Sequence, residues 1–126
     1  MTHTLTTRRG VLSGAAATSA LIASASFKAR AADTVVGFIY VGSRADFGWN
    51  QSHAVAAAAL KQIPGMKVVE EENVPETAAV AKTMESLITL DGASLIFGTS
   101  FGYFDPFMID MAREFPKVQF RHPTSL

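Results

Sequence analysis

The sequence predicts an α/β fold: one small lobe in which a parallel sheet carries helices on both faces. Three observations predict it. Four short apolar runs alternate with three segments of helical periodicity. The runs are nearly continuous and rich in β-branched and aromatic residues, as strands covered on both faces require. Every connection between them is long enough for a helix, so successive strands lie parallel and joined by right-handed crossovers.

"TVVGFIYVG" (34–42) is the first strand, closed by glycine. After a loop, residues 50–63 place Val55, Ala56, Ala59, Leu60 and Ile63 at helical spacing until Pro64-Gly65 stops them. "MKVVEEEN" (66–73) reads as a second strand whose end carries Glu70, Glu71 and Glu72, more readily a solvated strand end than a metal site. Pro75 suits the first turn of a second helix, with Val80, Met84, Leu87 and Ile88 as its apolar stripe and Asp91-Gly92 as its end. "ASLIFGTS" (93–100) is the third strand. Asp105 is a candidate N-cap for a third helix with Pro106 in its first position and Met108, Met111, Ala112 and Phe115 facing inward, and "KVQFRH" (117–122) is the fourth strand.

Composition bounds what the lobe does. With 126 residues, 48% hydrophobic and 17% charged, the chain is one globular unit at most. It contains no cysteine, which excludes disulfides, thiolate metal sites and a cysteine nucleophile. The first 31 residues hold Arg8, Arg9, Lys28 and Arg30 and no acid, and the rest carries seven basic residues against eleven acidic ones, a net of −4. A nucleic-acid-binding surface, whose footprint is basic, is not expected. Residues 1–31 have the layout of a cleavable signal peptide: a charged start, a mildly apolar run from Val11 to Ala25, and "ARA" before Ala32. Arg8-Arg9 resembles a twin-arginine export motif. The run is too short and too rich in small polar residues to span a bilayer, so we expect a periplasmic protein with no membrane anchor.

For strand order 2-1-3-4 the switch point lies between the first and third strands, where ligands of open α/β sheets bind at the carboxyl ends. The loops leaving those strands, "GSRADFGWN" and "GTSFGYFD", are the most aromatic of the chain. Trp49 is the only indole. A ring in such a loop can stack on a flat heterocycle, and Asp46 and Asn50 add hydrogen-bonding capacity for its edge. The same residues also read as a satellite apolar cluster (Phe101, Tyr103, Phe104, Phe107) and as turn and capping residues (Asp46, Asn50). Catalytic signals are sparse. Neither glycine-rich phosphate motif occurs, His53 and His122 lack a partner at metal-ligand spacing, and Ser43 and Ser100 lie outside a nucleophile elbow. No cofactor or metal is implied.

Over residues 35–122 the sequence resembles the front of the basic membrane protein (BMP) family of ABC-transporter solute-binding proteins. The resemblance is carried by a D-x-G-[FWY]-N loop, Asp46 to Asn50, and by G-T-S-F-G-Y-x-D, Gly98 to Asp105. It implies a Rossmann-like lobe of a type I periplasmic-binding-protein fold, over residues 32–122, that binds a purine base or nucleoside and works with an ABC permease and ATPase. It further implies that Trp49 walls the base, Asp46 and Asn50 bond its edge, Phe101 with Tyr103 closes the other side, and Ser100 adds a hydroxyl. Family members carry two lobes, so residues 123–126 read as a truncated tail, and one wall of a cleft is expected to bind weakly by itself. Two other readings remain open: an exported α/β enzyme such as a nucleoside hydrolase with Asp46 or Asp105 as base, and a small regulator using Glu70 to Glu72.

Overall fold

A computed structural model of the protein describes residues 32–123. The expected signal peptide and all but the first residue of the expected tail lie outside them. Four strands, β1 (Thr34–Ile39), β2 (Met66–Glu71), β3 (Leu95–Gly98) and β4 (Gln119–Arg121), form one sheet in the order β2-β1-β3-β4. All three pairings are parallel, with Val36 opposite both Val68 and Leu95 and Ile96 opposite Phe120. The predicted α/β lobe and its strand order are therefore present.

Side chains of β1 alternate between two cores, because successive residues of a strand face opposite ways. Val36, Phe38 and Tyr40 pack against α1 (Trp49–Leu60), where Phe38 also stacks on Phe97 with centroids 4.7 Å apart. Ile39, on the other face, joins Val80, Met84, Leu87 and Ile96 beneath α2 (Ala78–Thr89), with Met108 from the segment leading into α3 (Ile109–Glu114) and Met111 from α3 itself. The direction in which strands are added to the sheet thus reverses between β1 and β3, with α1 on one face and α2 and α3 on the other. Gly37 allows this tight packing: a Cβ there would approach Leu87 Cδ1 to 2.9 Å.

Three local expectations are corrected. The inward face of α1 is rotated from the one predicted: Ala57 is buried and Leu60 half-buried, while Val55 is 64% exposed and Ile63, beyond the helix end, 46% exposed. An alanine-rich helix presents small apolar side chains on several faces, so its pattern does not select one. The second helix starts at Ala78 with the Thr77 hydroxyl accepting from Ala79 N–H at 3.3 Å, leaving Pro75 in the turn before it. Asp105 is not an N-cap: its backbone is extended (φ −116°, ψ 122°), the Asp105–Pro106 peptide is cis, and α3 begins only at Ile109. A residue before proline is driven out of the α region by the ring. Met108 and Met111 are buried as expected, but Ala112 is exposed.

Candidate functional site

At the carboxyl end of the sheet the loops after β1 and β3 meet. The link is the Trp49 indole N–H, which donates to the Thr99 carbonyl at 2.6 Å across 50 residues of chain. Thr99 is itself buried, its hydroxyl donating to the Ile39 carbonyl at 2.8 Å. Trp49 remains 46% exposed and Phe101, two residues past the anchor, 73% exposed. The two rings singled out in the sequence therefore rise from joined loops, and the edge of His53 packs on the Trp49 ring at 4.6 Å.

The β1 loop is organised by Asp46. Its Oδ1 accepts from Gly48 N–H (2.8 Å) and Gln51 N–H (3.0 Å), and its Oδ2 from Asn50 N–H (3.1 Å) and Asn50 Nδ2 (2.8 Å). The three backbone donors are amides a helix start leaves unsatisfied, so one carboxylate caps α1 from three residues before it. The donors, the Gln51 amide first, draw the Asp46 carboxyl down to about 2. In this structure Asp46 thus performs the capping role that the sequence left as one of two readings. Asn50 is 6% exposed, and its Oδ1 is buried without a hydrogen-bond partner, as is Nε2 of His53. Burial lowers the His53 pKa, so this ring is neutral at neutral pH.

Sequence reasoning passed over Phe47. It is 92% exposed and sits at φ 57°, left-handed backbone that costs a bulky residue energy. Asp46 makes the turn around it by accepting from Gly48, which projects the ring outward. The signal lay in the sequence as an aromatic residue between a turn-forming aspartate and a glycine.

The β3 loop is held from several directions. Ser100 is 7% exposed; its hydroxyl donates to the Glu76 carboxylate, and its carbonyl lies 2.8 Å from His122 Nε2, which donates to it. Gly102 N–H donates to the same Glu76 oxygen at 2.8 Å. Tyr103 departs from the expected geometry. It has no accessible surface, packs in the core beneath α2, and donates its hydroxyl to the Val74 carbonyl at 2.5 Å. The tight turn over Phe101–Tyr103 sends the first ring out and the third ring in, so Tyr103 supports the loop from below instead of facing outward. Burial, and then the nearby Glu76 charge, raise its hydroxyl pKa.

Two of the acids at the end of β2, Glu70 and Glu72, are engaged with neighbouring bases and a tyrosine hydroxyl. Glu70 takes Tyr40 Oη at 2.9 Å, Lys61 Nζ, and Arg44 at 3.3 Å, while Glu72 takes the Arg44 side chain and backbone N–H, both at 3.0 Å. Burial works to raise the Glu70 carboxyl, but the Lys61 and Tyr40 hydrogen bonds with the Lys61 and Arg44 charges outweigh it and hold it below its ordinary value. A concavity of about 550 Å³ lies elsewhere, on the flank between α3 and β4 against Phe104, Met108 and Phe120. The aromatic face by contrast is open to solvent, as one wall of a cleft would be.

A parallel α/β sheet with its exposed rings gathered at the switch point defines the class: a Rossmann-like lobe of the periplasmic-binding-protein kind. Residues 33–125 match the Bmp family, described as ABC transporter substrate-binding protein PnrA-like, and the chain belongs to that family of substrate-binding proteins. It is also 44% identical over 91 residues to a purine-binding protein of Brucella abortus (strain 2308). That alignment takes in 71% of this chain and 25% of the relative, so the chain spans about a quarter of the length of the protein it matches. Among the described residues no helix is long and apolar enough to cross a membrane.

Proposed function

We propose that the chain supplies one wall of a purine-binding cleft in the solute-binding receptor of an ABC importer, exported by residues 1–31 and working with a permease and an ATPase. The observation that carries this reading is the Trp49–Thr99 bond, which joins two loops whose accessible rings, Trp49 and Phe101, offer flat surfaces at the place where α/β sheets receive ligands. Stacking of a base on an aromatic ring contributes about 1–3 kcal/mol. Asn50 offers a buried, unpartnered amide oxygen beside Trp49. Uncovered by a shift of the loop on binding, such an acceptor suits a donor on the purine edge, an exocyclic amine or ring N–H. Asp46 and Ser100 act through the loops they hold, and Tyr103 through the core beneath. The purine assignment draws on the printed name of the Brucella relative; base and nucleoside are both accommodated by an open face.

The hydrolase reading loses support at Asp46. A carboxylate accepting four hydrogen bonds and titrating near about 2 is a poor general base.

Titration of the purified chain with adenine, adenosine, inosine and guanosine, followed by Trp49 emission with ribose as control, tests the reading. We expect saturable quenching by the purines, and replacing Trp49 by Ala should weaken calorimetric binding by about tenfold or more. Because one wall binds weakly by itself, the titrations run to the solubility limit of each purine, and flat curves with all four there would overturn the reading.

A further inference from the structure

Glu76 lies in the turn between β2 and α2, on a different crossover from either aromatic loop, yet its carboxylate reaches the β3 loop. One oxygen, Oε1, accepts from both the Ser100 hydroxyl and Gly102 N–H. These two residues flank Phe101, whose ring is 73% exposed. The fit leaves no room for a side chain at position 102: a Cβ there would come 2.6 Å from the Glu76 carboxyl carbon and 2.9 Å from its Cβ. The Ser100 bond, and then the Gly102 amide, hold the Glu76 carboxyl below the usual range, so a carboxylate makes these contacts at neutral pH. Hydrogen bonds to a charged acceptor are stronger than neutral ones.

We infer that Glu76 is a positioning residue of the ligand face: by tying down the residues on both sides of Phe101, its carboxylate fixes the ring where a flat ligand stacks. A loop ordered before binding contributes more affinity than one the ligand must order, because its conformational entropy has already been lost on folding. What the ring stacks on rests on the purine reading; the tether itself does not. An acid just before a helix also favours that helix through its dipole, but that role would be indifferent to what stands at position 102.

Two measurements on the intact chain decide the matter: amide exchange at residues 100–103, and calorimetric affinity for adenine and adenosine. E76A should speed exchange at the Gly102 amide and weaken purine binding, each by about tenfold, the scale of losing two charge-assisted bonds partly offset by water. E76Q, whose amide oxygen accepts the same pair of donors, should stay within about threefold of wild type, since only the charge assistance is lost. G102A should reproduce E76A, and the double variant E76A/G102A should be little worse than either alone. The inference is overturned if E76A leaves Gly102 exchange unchanged, if the loop loosens without loss of affinity, or if the two substitutions add independently. It also fails if E76Q binds as weakly as E76A with a protected Gly102 amide, which would make the charge itself a ligand contact. Should wild type bind neither purine, the purine reading falls, and exchange at Gly102 in E76A and G102A still decides whether the tether exists.

Discussion

The loops after β1 and β3 meet at the Trp49 indole, yet opposite means hold them. From Asp46 onward the β1 loop is held locally: Asp46 bonds donors two to five positions ahead and sets both the outward Phe47 and the start of α1, while Arg44 before it is tied to Glu70 and Glu72 at the end of β2. The β3 loop, from Thr99 to Tyr103, is held by residues 22 to 60 positions away, namely Ile39, Trp49, Glu76, Val74 and His122. From Asp46 onward the first loop closes on its own segment. The second draws its partners from the end of β1 and from the segments that follow β1, β2 and β4. A face made from both therefore joins a part that folds locally to a part that reports the integrity of the whole lobe.

Substitution at the two loops should separate them most sharply at Tyr103 and Phe47. Truncating the buried ring, Tyr103→Ala, should cost about 3–5 kcal/mol in denaturant unfolding, while Phe47→Ala, removing a larger exposed surface, should stay within about 0.5 kcal/mol. A Tyr103→Ala variant as stable as wild type would show that the β3 loop does not depend on the core beneath it.

The crossing point comes next in size. Trp49→Phe keeps a ring but removes the N–H that reaches the Thr99 carbonyl. We expect a loss of about 1 kcal/mol in stability, with faster amide exchange around Thr99 and little change inside α1. Equal loosening on both sides of the bond would mean that the β1 loop is less autonomous than its hydrogen bonds indicate.

The smallest effect is electrostatic and sharpens the same contrast. The Asp46 carboxyl falls from its ordinary 3.8 to about 2 in the folded chain, so its contribution is complete above the unfolded value and is lost as pH falls through the folded one. Order in the first turn of α1, followed through the Gly48, Asn50 and Gln51 amides, should fade in that acid window while the Tyr103–Val74 contact persists. Asp46→Asn should flatten the response. The group is exposed, so solvent screening keeps the effect local.

Much of this was legible before any coordinates. Val80, Met84 and Leu87 recur at helical spacing with polar residues between them, and they are the buried stripe of α2. The alanines of α1 carry no such contrast, so only packing against Val68 and Phe97 selected Ala54, Ala57 and Leu60 as its inner face. Asp105-Pro106 looked like a helix start because each residue suits one, but their order puts the proline's steric demand on the aspartate.

At the ligand face the division is sharper still. Composition and spacing alone determined the four parallel strands, the switch point between the first and third, and the aromatic loops that leave it, because strand burial and crossover length are properties of contiguous segments. Which ring of "FGYF" turns outward, what the Asp46 carboxylate binds, and that Glu76 reaches Gly102 were decided by tertiary structure. These depend on which distant donors and acceptors arrive within hydrogen-bond reach once the sheet has assembled, and linear spacing carries no measure of that distance.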